Sequence, residues 1–223
     1  MTIQGDNRVG QIATEHPLAT RVFHRHGIDF CCGGGKPLTE ACAARGVDAD
    51  LVLDEIRKEL ADKVDDGTRW DQAPVDDLID HILEDYHKPL HEELPRLEAM
   101  AKKVNQVHGD KYPDTLPQIL STYLGLEDEL QRHMAKEEQI LFPMIRQGSG
   151  PMTGGPISVM ESEHASAGAA LERLNELTKG YEVPEQACNT WRALWHGLAA
   201  LEESLHQHIH LENNILFPRA LNG

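Results

Sequence analysis

His133-Met-Ala-Lys-Glu137-Glu-Gln-Ile-Leu-Phe-Pro143 and His208-Ile-His-Leu-Glu212-Asn-Asn-Ile-Leu-Phe-Pro218 are two copies of one pattern, H-x-x-x-E-x-x-I-L-F-P, set 75 residues apart. Upstream of each copy stands a further histidine: Glu84-Asp-Tyr-His87 and Glu161-Ser-Glu-His164, 77 residues apart. Near-equal offsets of this kind describe a duplicated helical hairpin. Each copy offers one His from its first helix and a His/Glu pair from its second. Positions i and i+4 lie one turn apart on the same helix face, so His133 and Glu137 reach one centre together, as do His208 and Glu212. Two carboxylates facing each other in a dry core repel unless positive charge lies between them. Two metal ions bridged by Glu137 and Glu212, each capped by two imidazoles, remove that cost. Imidazole suits iron, zinc, copper or nickel.

Outward from these motifs the chain reads as all-α. Four long helical patterns cover about 75–107, 114–147, 154–179 and 184–219. They are separated by turn-forming stretches such as GSGPMTGGP. Long helices joined by short loops predict an up-down-up-down four-helix bundle over 75–223. Pro89 and Pro95 fall inside the first pattern and predict a bend there. The Ile-Leu-Phe after each Glu is expected to supply apolar packing. Residues 1–64 read as a small N-terminal domain of short helices, and 65–74 as a polar linker. Within that domain Pro37 and Gly46 bracket a helix over Leu38–Arg45, and Asp48 caps the next. There Leu51, Val52, Ile56 and Leu60 form the expected apolar stripe.

The 223 residues carry 21 basic and 37 acidic side chains, a net charge of −16 with His neutral. Such a chain repels phosphate backbones, which disfavours nucleic acid and anionic membrane surfaces as partners. No apolar run approaches the ~20 residues of a membrane span. The first residues lack the basic and apolar segments of a secretory signal. Four Cys are too sparse for a disulfide scaffold, which points to a reducing cytoplasm. Histidine is abundant, at 13. His16, His24, His26, His108 and His196 are expected to be solvated. His81, His91, His206 and His210 neighbour the proposed ligands and stand in reserve.

Cys31 and Cys32 are adjacent and precede three glycines, Lys36 and Pro37. A disulfide between neighbours needs strained geometry. If the loop folds back, Lys36 and the helix N-terminus at Pro37 would lower a thiol pKa. The pair reads as reactive redox or relay thiols, a sulfur or NO acceptor or a transient iron-handling site, against a tight loop with one buried Cys. Cys42 and Cys188 read as core packing.

The duplicated His…H-x-x-x-E pattern resembles the hemerythrin-like domain. Together with Asp29-Phe-Cys-Cys-Gly-Gly34, Gly155-Pro-Ile-Ser-Val-Met-Glu-Ser-Glu-His164 and Leu211-Glu-Asn-Asn-Ile-Leu-Phe-Pro-Arg219, it makes the whole chain similar to the iron–sulfur cluster repair family of di-iron proteins. The resemblance implies two non-haem iron ions in a carboxylate-bridged centre, with ligands His87, His133, Glu137, His164, His208 and Glu212. It implies repair of clusters damaged by nitrosative or oxidative stress, through supply of iron. The partners it implies are damaged iron–sulfur proteins or cluster-assembly proteins, with NO and O2 as small ligands. An NO-reducing enzyme fed by Cys31 and Cys32, and an O2/NO-sensing module, are the other readings. In oxygen-carrying hemerythrins the third helix bears a second His four residues after the first. Here that position is Gly168, which leaves one coordination position open. Glu129 and Glu163 are candidate outer or channel groups.

Overall fold

The computed structural model describes residues 3–62 and 68–222. Residues 63–67, which include the start of the expected linker, lie outside the described residues. Among the described residues there are eight helices and no strand, only an isolated bridge between Arg8 and Pro37. The N-terminal helices are α1 (Val9–Glu15), α2 (Ala19–Arg25), α3 (Leu38–Arg45) and α4 (Ala49–Asp62). Val9, Ile12, Val22, Phe23, Leu38 and Ile56 close a core of their own. The caps fall where turn chemistry places them. Gly46 ends α3 with φ +68, a left-handed conformation that costs glycine little. Asp48 Oδ1 accepts from the Asp50 N–H at the start of α4. The apolar stripe differs in one place: Leu51 is 51% exposed and Leu53 is buried instead. Periodicity marks a cluster of leucines, but the packing of α4 on α2 decides which one turns inward.

Four rods follow. α5 covers 75–108, α6 covers 116–146, α7 is Gly154–Thr178 and α8 covers 189–222. Each packs on its sequence neighbours, and α8 closes the bundle against α5. The last rod starts later than its pattern suggests. Residues 184–188 form a turn in which Ala187 N–H donates to Pro184 O. The Arg192 guanidinium binds the carbonyls of Glu185 and Ala187, satisfying loop groups that a longer helix would have paired internally. Cys188 is the extended N-cap residue of α8 and is exposed, not core. Cys42 is buried.

Three rods are interrupted by a π-helical turn: Leu83–His87 in α5, Glu137–Leu141 in α6 and Glu212–Leu216 in α8. Each turn is followed, within two residues, by a proline: Pro89, or Pro143 and Pro218 of the motif. Proline has no N–H to give the carbonyl four residues back, at 85, 139 or 214, and each of these carbonyls lies inside a π-turn. The ladder slips by one residue. Phe142 N–H reaches back five residues to Glu137 O, and Phe217 N–H to Glu212 O. Pro89 thus acts through a π-turn, whereas Pro95 sits within regular helix.

The slip turns His and Glu inward while the residues beyond return to an apolar face. Leu141, Phe142, Leu216 and Phe217 are all buried, each contributing about 1.5–3 kcal/mol. They lie with Leu78, Ile79 and Ile82 in a cluster below the site, and a Leu/Trp-rich cluster above runs from Leu90 to Leu205. The two copies differ at their isoleucines: Ile215 is buried and Ile140 is 53% exposed. α1 lies against the π-turn of α8.

Candidate metal centre

Between the two apolar clusters sit six polar side chains, each 4% exposed or less: His87, His133, Glu137, His164, His208 and Glu212. They form two quartets that share both carboxylates. His87, His208, Glu137 and Glu212 place ligand atoms within 4.8 Å of one another, and so do His133, His164, Glu137 and Glu212. Glu137 Oε2 lies 3.4 Å from His87 Nε2 and 3.2 Å from His133 Nε2. Glu212 spans the other pair, at 3.2 Å from His164 Nε2 and 3.1 Å from His208 Nε2.

The outer ring nitrogens decide what this arrangement holds. His87 Nδ1–H donates to Glu138 Oε1 at 2.9 Å, and His133 Nδ1–H donates to Glu163 Oε2 at 2.9 Å. His164 Nδ1–H donates to Asn213 Oδ1 at 2.8 Å. A neutral imidazole that donates from Nδ1 presents a bare lone pair at Nε2. Yet Nε2 of His133 and His164 stand 2.9 Å apart, and those of His87 and His208 3.2 Å apart. For His133 and His164, which both donate from Nδ1, the lone pairs repel at that distance, whereas His208 turns its Nε2 to Glu212 Oε1 at 3.1 Å. Both oxygens of Glu137 and Glu212 Oε2 are buried without a hydrogen-bond donor. Facing ring nitrogens beside three undonated carboxylate oxygens form a cage for cations, two of them, and the donor set fits iron.

The chain matches the hemerythrin HHE cation binding domain over residues 78–220. The chain belongs to that family. Residues 5–60 match the ScdA_N family, a domain of unknown function. The chain is 45% identical over 219 residues to the iron-sulfur cluster repair protein YtfE of Escherichia coli O81 (strain ED1a), covering 98% of both chains. It is 44% identical to the protein of the same name from Escherichia fergusonii, again over 98% of each. It is therefore a member of the iron–sulfur cluster repair family with a C-terminal hemerythrin-like domain, whose cofactor is a pair of non-haem iron ions. No helix among the described residues is long and apolar enough to cross a membrane.

Without metal, hemerythrin-like cages of this kind must hold protons instead. Burial alone would lower the pKa of His133, but Glu137, Glu212 and Glu163 outweigh it and raise it to about 9. His87 and His164 are also raised against the pull of burial, chiefly by Glu137 and Glu212 respectively. Burial would raise Glu212, yet His208 and His164 hold it well below the carboxylate range. The signs give a pH window for the metal-free chain. A raised His stabilises fully below its unfolded value of ~6.5, and that stability is lost as pH rises through the folded value. A depressed Glu stabilises above ~4.3 and loses that contribution as pH falls. Metal-free melting temperature is therefore expected to fall from pH 6.5 to 9, and the iron-loaded protein to show no such fall. Loading iron at pH 7.5 releases protons, measurable as buffer-dependent heats in titration calorimetry. Loading without proton release would contradict the cage.

Glu163 is an outer partner, with Lys136 bound to its other oxygen. Glu129 accepts from Ser166 Oγ and lines the narrow cleft over His133 and His164. His81 stacks on Trp70, and His91 is half exposed beside Glu138. His206 and His210 face Phe30, and burial lowers His210 to about 4, so it is neutral. His24 and His196 are exposed. His26 is instead bound to Glu55, and His108 packs on Trp191. Sequence reading missed Glu138 and Asn213. They hold the same place in the two copies, directly after the glutamate, and that shared place was the available signal.

The cysteine loop docks on this centre. Asp29 Oδ1 accepts from the N–H groups of Cys31 and Cys32 at 3.1 and 2.9 Å. The two Sγ atoms stand 3.8 Å apart, and Cys32 Sγ–H donates to His164 O at 3.5 Å. A Cβ at Gly168 would lie 3.9 Å from Cys32 Sγ. The place that a third-helix histidine takes in oxygen-carrying hemerythrins is here faced by a thiol. Nor do Lys36 and the start of α3 set the thiol chemistry. The hydrogen bond that Cys31 donates to Cys32, burial and Asp29 raise Cys31 well above its usual value, and accepting that bond lowers Cys32.

Proposed function

We propose that His87, His133, Glu137, His164, His208 and Glu212 are the ligands of the two iron ions, and that this iron serves the repair of iron–sulfur clusters damaged by nitrosative or oxidative stress. The observation that carries the reading is the double cage: four inward Nε2 atoms around two buried carboxylates, three of whose oxygens have no donor. The named relatives supply the repair role. Iron bound there supplies a reservoir of metal and a site for small ligands. The chain's own part is to hold each imidazole by its outer nitrogen, exclude water with the Leu141/Phe142 and Leu216/Phe217 walls, and exchange protons for metal at Nε2. In this reading 1–64 is the unit that brings Cys31 and Cys32 to the centre, 65–74 the linker and 75–223 the iron-holding bundle. Its partners are damaged iron–sulfur proteins or cluster-assembly proteins, and its place is the cytoplasm. The test is reactivation of an NO-inactivated iron–sulfur hydro-lyase. Iron-loaded protein is expected to restore its activity under a chelator that traps free iron. Equal recovery from free iron alone would sink the reading.

The thiol pair beside His164 favours one further reading, reduction of NO. Two NO, two electrons and two protons give nitrous oxide and water. Cys31 and Cys32 would supply both electrons and both protons on becoming a disulfide, to be reduced again by an external thiol. Steady nitrous oxide production with that reductant, abolished in Cys32→Ser, distinguishes turnover from stoichiometric iron supply.

A further inference from the structure

The pseudo-twofold that relates the two hairpins breaks at one position beside the centre. Residues 77 apart correspond on the first helices, so Glu163, next to His164, has Tyr86, next to His87, as its counterpart. Glu163 accepts from Nδ1 of His133. The counterpart of His133 is His208, and there Tyr86 makes no hydrogen bond to the ring. Its ring stacks on the imidazole instead, at 5.4 Å and 24°. His208 Nδ1 is buried without a hydrogen-bond partner. Three of the four imidazoles are thus held from outside, two by carboxylates and one by an amide, and the fourth is held by stacking alone. Glu138, which supports His87, is moreover shared with His91 at 3.3 Å.

Outer acceptors fix the orientation of a ligating imidazole and raise its basicity, and losing one typically costs 10–100-fold in metal affinity. The position between His133 and His164 has both supports, and the position between His87 and His208 has one. The weaker position also lies beside the roomier opening, since the cleft over His133, His164 and His208 holds only about 10 Å³. Tyr86 lines a cavity of about 180 Å³ with Trp70, His81, Gln207 and Thr20, at the seam between the N-terminal helices and the bundle. The Tyr86 ring, which lines that cavity, also stacks on His208. The thiol pair lies on the other side, against His164.

We propose that the two cation positions are unequal, and that divalent iron is loaded and released at the position between His87 and His208, past Tyr86, while the ion between His133 and His164 stays. The inference rests on the ligand set proposed above and adds which ion moves and by which route.

The full-length protein, loaded anaerobically with two ferrous ions per chain, is mixed with excess ferrous chelator and the release followed by absorbance. Two phases of equal amplitude are expected, with rates about tenfold or more apart. Tyr86→Glu restores the carboxylate found in the other copy and slows the first phase towards the second. Tyr86→Ala opens the route and speeds the first phase alone. Glu163→Gln speeds only the second. Tyr86→Phe keeps the stack and the wild-type rates. His208→Ala retains one ion, which leaves at the slow rate. Circular dichroism of each variant checks that the bundle is intact, and the opposed directions of Tyr86→Glu and Glu163→Gln separate support from general loosening. Release of both ions in a single phase overturns the proposal, as does acceleration of the second phase by Tyr86→Ala. Wild-type protein that takes up no iron overturns the ligand assignment itself. Two ions taken up and released together overturn only the inequality.

Discussion

Glu137→Leu and Glu212→Leu are each expected to abolish the paired centre while leaving the metal-free chain as stable as before, or more so. Each carboxylate is fully buried and belongs to both quartets, so losing either removes a ligand from both ions at once. The metal-free wild type must keep two carboxylates out of water, compensated only by protons on neighbouring imidazoles. Replacing buried charges by apolar groups of similar volume is commonly neutral or stabilising by about 1–4 kcal/mol. Once Glu137 is gone, His87 and His133 lose their main source of raised basicity and become neutral, which suits their burial. The loaded wild type gains stability by mass action, about 4 kcal/mol when free metal is a thousandfold above its dissociation constant. For a chain of this size that is on the order of 10 °C in melting temperature. Calorimetric melts with and without iron therefore reverse the ranking: variants at or above wild type when empty, well below it when loaded. A variant that still binds two ions per chain, or that melts far below wild type when empty, would falsify the bridging role.

The same repeat shows where sequence reading succeeds. H-x-x-x-E names four of the six inward residues because i and i+4 share a helix face whatever the surroundings. His87 and His164 follow from the matching offset of the first helices. The π-turns are less visible. Pro89, Pro143 and Pro218 are plain in the sequence, but a missing N–H can be answered by a bend or by a ladder slipping one residue, and packing chooses. The outer partners are hidden for a different reason. Glu138 and Asn213 occupy one repeat position with different chemistry, and a carboxylate and an amide serve alike as acceptors for Nδ1. Leu51 and Ile140 fail in a third way. An apolar residue one position from a buried neighbour satisfies the pattern as well as the neighbour does, and only the docking of another element decides.

Docking of the cysteine loop is the part least legible in the chain, since it joins residues nearly two hundred positions apart, and it yields the second large effect. Asn214 Nδ2–H donates to the carbonyls of Phe30 and Cys31 at 3.3 and 3.0 Å, two residues after Glu212 in the same π-turn. Its Oδ1 presses on two glycines. A Cβ at Gly34 would lie 2.6 Å from that oxygen and 2.7 Å from Phe30 O, and a Cβ at Gly10 would also collide with it. Gly34→Ala therefore cannot keep both the loop and the asparagine in place, and overpacking of this kind costs about 1–3 kcal/mol. Each 1.4 kcal/mol is tenfold in population. Cys31, 4% exposed in the docked loop, is expected to react with an aromatic disulfide reagent about ten to a hundredfold faster in Gly34→Ala. Asn214→Leu, which leaves two carbonyls without a donor, moves the rate the same way. Gly35→Ala is the control, because nothing lies within 4 Å of its Cβ, and its labelling rate stays that of wild type. Peptide mapping of the labelled cysteines reads Cys31 apart from the exposed Cys32 and Cys188. Equal protection of Cys31 in all three variants would mean that the loop is held by its own Asp29 turn rather than by Asn214. The π-turn carrying Glu212 and Asn214 would then hold the iron without holding the thiols.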